Sequence, residues 1–327
     1  MLRNPICCAV CVFLIPACGD DTSAASGTDS TSSGSTGGMS STTAAGTGGA
    51  GGGGGASTGG AGTGTGGSGG AGGAGGGVGS APVGPYALAY AGTSIGVDLR
   101  QPTSATFSGS ALAGYVANAN EQPLIGTNTT SDVFAETAGG AVPLVVSGRW
   151  SGGTLAGDFY GNQFTFPTDG GLQYVIGTET GALPASGAPT YMLSHASPTT
   201  VSDGTLAPGS STGDLGVLFA GDGTHVGVTL QLTMPGDQTY DITTTGGAAI
   251  PGTSELTIFP AGSSLFSGVV HPVSTTGACS GTVECKAVID GFFAGASAEV
   301  AALVVHVYNN AGGSAKTVSA AMVFTKE

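Results

Sequence analysis

From Tyr86 to the end, short runs of Val, Ile, Leu, Phe, Tyr and Thr alternate with Gly, Pro, Asn, Asp or Ser. Nowhere does the 3.6-residue spacing of an amphipathic helix persist, so the pattern predicts many short strands in an all-β fold. The clearest piece is His225 to Met234, where Val226, Val228, Leu230, Leu232 and Met234 alternate with polar or small residues. Such a strand buries one face and wets the other. Pro235 to Gln238 reads as a turn, and Thr239 to Thr243 returns with Tyr240 and Ile242 on one face, which makes a hairpin.

Further strands are predicted at 191–196, 214–219, 255–259, 265–273, 286–289, 301–308 and 317–324. Together they suffice for an eight-stranded antiparallel up-and-down barrel, whose closure removes exposed edges. Less regular candidates precede them at 86–91, 106–116, 144–148, 153–160, 163–166 and 172–176. The run Gly181 to Pro189 reads as a connector. The folded part is therefore divided near residue 187, into a smaller β subdomain over 81–186 and a barrel over 187–327.

The densest stretch is GACSGTVECKAVIDGFFAGASAEVAALVVHVY, Gly277 to Tyr308. It holds Cys279 and Cys285, an aromatic corner from Asp290 to Gly295, and two apolar runs. Gly291 and Gly295 are expected to allow the tight backbone by which Phe292 or Phe293 plugs the barrel end.

Composition changes the picture upstream. The chain has 64 Gly, six Cys and a formal net charge of −14. Cys7, Cys8, Cys11 and Cys18 all lie near the N-terminus, beside an apolar run from Ile6 to Ala17 that follows Arg3. That run is shorter than the roughly 20 residues a spanning helix needs and has the length of a signal-peptide core. It ends Leu14-Ile15-Pro16-Ala17-Cys18, which resembles the bacterial lipobox, with Pro16 as its one departure. The expectation is a signal peptide over 1–17, lipidation of Cys18, and a lipid-anchored protein of the bacterial outer membrane or cell surface.

Residues 18–80 are almost entirely Gly, Ser, Thr and Ala. They carry too little apolar surface to offset backbone entropy, so a disordered tether is predicted. A flexible coil of about sixty such residues spans roughly 45 Å. Export would place Cys279 and Cys285 in an oxidising compartment, where they are expected to form a structural disulfide. Closing so small a loop contributes roughly 2–3 kcal/mol.

The order of the Gly148-Arg149-Trp150 segment, the alternating strand, the GACSGTVEC clip, GFFAGASAEV and a closing strand ending AAMVFTKE resembles a known family. It is similar to bacterial surface lipoproteins with a transferrin-binding-protein-B-like β-barrel domain. Gly291, Phe292, Phe293, Gly295 and Glu299 match that family's corner near the last barrel strands. The resemblance covers about residues 145 to 327 and implies a fold and a surface-lipoprotein habit. Family members of the transferrin-binding type are larger and bilobed, so it does not imply transferrin as the ligand.

Candidate chemistry is sparse. Gly209 to Gly213 matches the G-x-S-x-G nucleophile pattern by letter, but it falls in a turn of a β-rich region and lacks the strand–helix setting. His195, His225, His271 and His306 are isolated on predicted strands, without metal-ligand spacing. Asp158, Asp169, Asp203, Asp214 and Asp222 read as loop or turn residues. The basic residues after Arg3 are Arg100, Arg149, Lys286, Lys316 and Lys326, too scattered for a nucleic-acid patch. No catalytic site, metal or cofactor is expected.

The sequence thus predicts a non-enzymatic, monomeric envelope protein that meets the membrane through its lipid and a partner through barrel loops. A protein ligand ranks ahead of a small molecule, and a passive envelope component is a third reading. A lipocalin-like carrier is the alternative, and inward side-chain size decides between them. Gly216, Gly227 and the Ala-rich 298–302 leave both readings open.

Overall fold

The run Tyr86-Ala87-Leu88-Ala89-Tyr90-Ala91 places large residues on one face of a strand and alanines on the other, and both faces are buried. That single strand therefore lies between two layers. The computed structural model describes residues 81–92, 96–117, 122–127, 130–138, 143–158, 162–252, 255–259, 262–271, 273–275, 285–309 and 317–327. All fall within the compact unit Ser68–Glu327.

The described residues form strands and turns only. Ten strands come first: β1 (Tyr86–Gly92), β2 (Gly96–Arg100), β3 (Ser104–Ser108), β4 (Ala111–Val116), β5 (Gln122–Thr127), β6 (Thr130–Ala138), β7 (Pro143–Ser151), β8 (Thr154–Asp158), β9 (Asn162–Thr165) and β10 (Leu172–Thr178). They build two antiparallel five-stranded sheets, ordered β2-β1-β10-β7-β6 and β3-β4-β5-β8-β9. The predicted single strand over 106–116 is instead the β3–β4 hairpin, because Gly109 takes a φ of +63° and turns the chain. β2, β5 and β6 were absent from the predicted set.

Eleven more strands make one large antiparallel sheet. They are β11 (Thr190–Ala196), β12 (Thr200–Val201), β13 (Ser210–Ala220), β14 (Gly223–Thr233), β15 (Thr239–Thr243), β16 (Leu256–Ile258), β17 (Leu265–Val270), β18 (Ser274–Thr275), β19 (Cys285–Ala294), β20 (Val300–Asn309) and β21 (Val318–Lys326). The order is β16-β17-β19-β20-β21-β11-β13-β14-β15-β18, with β12 added on β21. The sheet curls: β21, last in the chain, pairs with β11, first in the sheet, while β16 packs back on β14. The sheet holds eleven strands rather than eight: the nine predicted after residue 187, β16 among them, are joined by β18 on the β15 edge and by β12 on β21.

Alternation sorts side chains into three buried layers. Inside the curl lie Leu215, Val217 and Phe219 of β13, Val226, Val228, Leu230 and Leu232 of β14, Ile289 and Phe293 of β19, Leu303 and Val305 of β20, and Met322 and Phe324 of β21. Ala87, Ala89, Ala91, Val145 and Val175 face the outer side of the curled sheet, against Phe292, Ala302, Val304 and Val323. The opposite face of the central sheet packs Leu88, Tyr90, Trp150, Tyr174 and Ile176 on Leu112, Tyr115 and Leu155. The lone Trp of the chain pins those two sheets together: Trp150 Nε1 donates to the Leu112 carbonyl at 2.7 Å, and Tyr174 lies 4.6 Å from it, ring to ring.

Gly216 and Gly227, which left both readings open, face outward and do not line an interior cavity. One sequence expectation is corrected here. The segment Gly209 to Gly213 is not a turn, since β13 starts at Ser210 and pairs with β14 throughout.

Candidate functional site at the barrel mouth

Phe293 organises one end of the curled sheet. As an inward residue of β19 it sits 5.2 Å from Phe266, 6.0 Å from Phe219 and 6.1 Å from Tyr191, ring centre to ring centre. The four rings close that end. Phe292, its neighbour, points the other way, and its ring lies over Gly177 of β10. A period of two forces this split, so only one of the adjacent Phe residues plugs the interior.

The two corner glycines act differently. Gly291 has ordinary backbone; a Cβ there would stand 2.4 Å from the Phe266 ring and 2.6 Å from the Ala302 carbonyl oxygen. It is needed for close approach, which corrects the expectation of a special backbone at that position. Gly295 has a φ of +88° and opens the turn to Ala298, itself at φ 55°. The Glu299 carboxylate accepts from the Ser297 amide at 3.0 Å, and the Tyr191 hydroxyl donates to the Ala298 carbonyl at 2.6 Å. Burial, then the nearby Glu299 charge, raises the Tyr191 pKa, so its proton stays in place for that bond.

The connector lies across the same end. Thr180 donates from its amide to the Phe293 carbonyl at 2.9 Å and from its hydroxyl to the Gly295 carbonyl at 2.8 Å. Glu179 accepts from Ser264 Oγ at 2.8 Å and from Gln101 Nε2 at 2.7 Å. Leu183 packs against the inner core, and the Gly187 amide donates to the Phe219 carbonyl at 3.1 Å.

Outside this plug is an open cleft of about 770 Å³. Residues 181–183, the β13–β14 turn and β16 frame it. Leu256 is buried in its floor, Leu183 and Ile258 are half-buried, and Asp222 stands 3.8 Å from His225 on the rim. Two large apolar side chains nearby in sequence are exposed, Phe259 at 68% and Ile250 at 69%.

A second polar cluster lies between layers. Asp98 of β2 binds Arg100 at 2.6 Å and accepts from the Tyr90 hydroxyl at 2.9 Å. Asp290, on the outward face of β19, is only 6% exposed, and its Oδ1 has no hydrogen-bond partner. Burial pushes its pKa up to about 6; a Ser267 hydrogen bond opposes this and the Asp98 charge adds to it. The sequence places Asp290 in the aromatic corner after a strand over 286–289, whereas β19 continues through it to Ala294 and carries it on a buried face.

The other candidates resolve into packing roles. Ser211, centre of the G-x-S-x-G match, is buried with its hydroxyl 2.7 Å from Thr199 Oγ1. His306 is buried, holds Nδ1 2.9 Å from Ser319 Oγ, and burial lowers its pKa to about 4, which keeps it neutral. Burial also lowers the pKa of His195, while His271 is exposed. Asp203 caps a turn by accepting from the Thr205 amide and hydroxyl. Asp214 is a mid-strand residue of β13, where the loop reading had placed it in a turn. Among the described residues, no three of His, Cys, Asp or Glu group as metal ligands. Cys285 is buried at the start of β19; Cys18 and Cys279 lie outside the described residues, as does the tether.

No protein-family model matches the chain, and no curated protein matches it. Solved structures do. The chain is similar to a mutant of transferrin binding protein B, a vaccine antigen from Haemophilus parasuis, at 12% identity and a TM-score of 0.38, over 75% of this chain and 46% of that one. It is also similar to isotype 1 transferrin binding protein B from serogroup B Neisseria meningitidis, at 13% identity and a TM-score of 0.39, over 74% and 43%. The chain therefore spans less than half the length of these structures. The resemblance read from residues 145 to 327 meets solved structures of that same name.

Proposed function

We propose that this is a lipid-anchored envelope protein that presents a filled β-barrel at the bacterial surface and binds a partner protein through the loops at its mouth. Cys18 carries the lipid, residues 18–80 form the tether, the β subdomain spans 81–186, and the barrel spans 187–327. Cys279 and Cys285 clip the approach to β19, and the protein acts as a monomer without catalysis.

The observation that carries this reading is the packing inside the curl. Its inward positions hold Leu, Val, Ile, Phe, Tyr and Met side chains in one buried cluster. Side chains of that size fill a barrel of about eight strands and leave the ligand to the outside. Gly216 and Gly227 face outward and add no space to the interior, which favours this reading over a lipocalin-like carrier.

The test is retention by the immobilised full chain from the organism's natural surroundings, read by mass spectrometry. One or a few proteins enriched over a carrier bead support the reading. Nothing retained, together with a small molecule that stays bound through purification, contradicts it.

A further inference from the structure

The walls of the mouth cleft are largely bare backbone. At Gly181, Gly221, Gly223, Gly252 and Gly262 the space a Cβ would occupy is empty to at least 4 Å. Without side chains there, a second chain can approach these walls closely, and an extended peptide is a ligand that fits such a narrow, backbone-lined cleft. The floor is apolar at Leu183, Leu256 and Ile258, which suits one aliphatic or aromatic anchor.

Charge narrows the partner. The described segments that frame or adjoin the cleft, 179–183, 220–225, 252 with 255–259, and 262, carry Glu179, Asp222 and Glu255 but no Lys or Arg. Asp222 is the most open of them, its side chain 80% exposed. The whole chain is acidic, at −14. A rim of one sign steers and selects a partner of the other.

We propose that this cleft receives an extended segment of a partner protein in which an apolar side chain is flanked by Lys or Arg. This deepens the partner-binding reading above and rests on it.

The probe is a capped five-residue peptide with a central Leu between two Lys on each side. It is titrated against the full chain by fluorescence anisotropy, beside a Glu-flanked peptide and an all-Lys peptide. Binding is expected for the Leu peptide alone. It should weaken about tenfold in Asp222→Lys, which reverses the rim charge, and in Ala182→Trp, which fills the exposed wall. Unchanged thermal melts show that both variants fold. Equal binding of the all-Lys peptide, or undiminished binding by both variants, overturns the proposal. If Ala182→Trp still retains the partner that the wild-type chain captures, the cleft assignment falls while partner binding stands; if the wild-type chain captures no protein and binds no peptide, both fall.

Discussion

Gly216 of β13 and Gly227 of β14 lie directly opposite each other, and both turn outward beneath the loop that follows β15. A Cβ on Gly216 would stand 1.9 Å from the Ala248 carbonyl oxygen, and one on Gly227 would stand 2.4 Å from that of Gly247. Nothing larger than a hydrogen atom fits between hairpin and loop. The loop is tied down elsewhere: the Ala248 amide donates to Thr229 Oγ1 at 3.2 Å and the Thr245 amide to Glu255 at 2.6 Å.

Gly227→Val is therefore expected to lift this loop and cost about 1–3 kcal/mol through overpacking. Denaturant unfolding checks the cost, and limited proteolysis should find new cleavage within 244–252. Gly223→Ala, at a turn with open space around it but φ +145°, serves as the comparison that leaves the loop seated.

The adjacent phenylalanines separate two interfaces. Phe293→Ala should cost about 3–5 kcal/mol and loosen the mouth, while Phe292→Ala should cost a similar amount and loosen the central sheet instead. Hydrogen exchange distinguishes them. The first variant should expose amides of 180 and 187, and the second those of β10 and β7. Identical exchange maps would contradict the split.

Asp290 and His306 oppose each other in acid. The folded-state value of Asp290, about 6, lies above the ordinary 3.8, so the folded chain holds that proton more tightly. Its stabilising contribution is full below about pH 4 and is lost as pH rises through 4 to 6, by up to about 3 kcal/mol. Asp290→Asn should remove that loss and leave the protein more stable at pH 7.

His306 behaves in the opposite sense. Its folded-state value of about 4 lies below the ordinary 6.5, so the unfolded chain binds the proton more tightly. Its contribution is full above about pH 6.5 and is lost as pH falls toward 4, again by up to about 3 kcal/mol. Relative to wild type, Asp290→Asn should therefore steepen the loss of stability between pH 6 and 4, and His306→Gln should reduce it. Parallel stability profiles for all three proteins would refute both assignments.

Much of this fold is legible in the residues themselves. The β14–β15 hairpin follows from the alternation of Val226 to Met234 and from the Pro235–Gly236 turn. All nine strands predicted after residue 187 lie in the single large sheet. Polar strands were harder to find: Ser210 to Asp214 lacks apolar alternation, and pairing with β14 is what makes it a strand.

Facing could not be read locally. Phe292 and Phe293 are equivalent in sequence until the register of β19 is known, because one step moves every side chain to the other face. Asp290 and His306 illustrate the same limit. Both sit outward on the curled sheet, which reads as wet, and only the arrival of the alanine face of β1 and its neighbours makes it dry. The mouth cleft draws on residues some eighty positions apart, from Gly181 to Gly262, and no local spacing announces it.

The central claim, a lipid-anchored barrel filled by its own side chains, is tested most directly by native mass spectrometry of the full chain purified from its envelope in mild detergent. One mass is expected, that of a chain beginning at a lipidated Cys18 with no small molecule attached. A chain carrying a retained small molecule, or one that begins elsewhere without lipid, would contradict it.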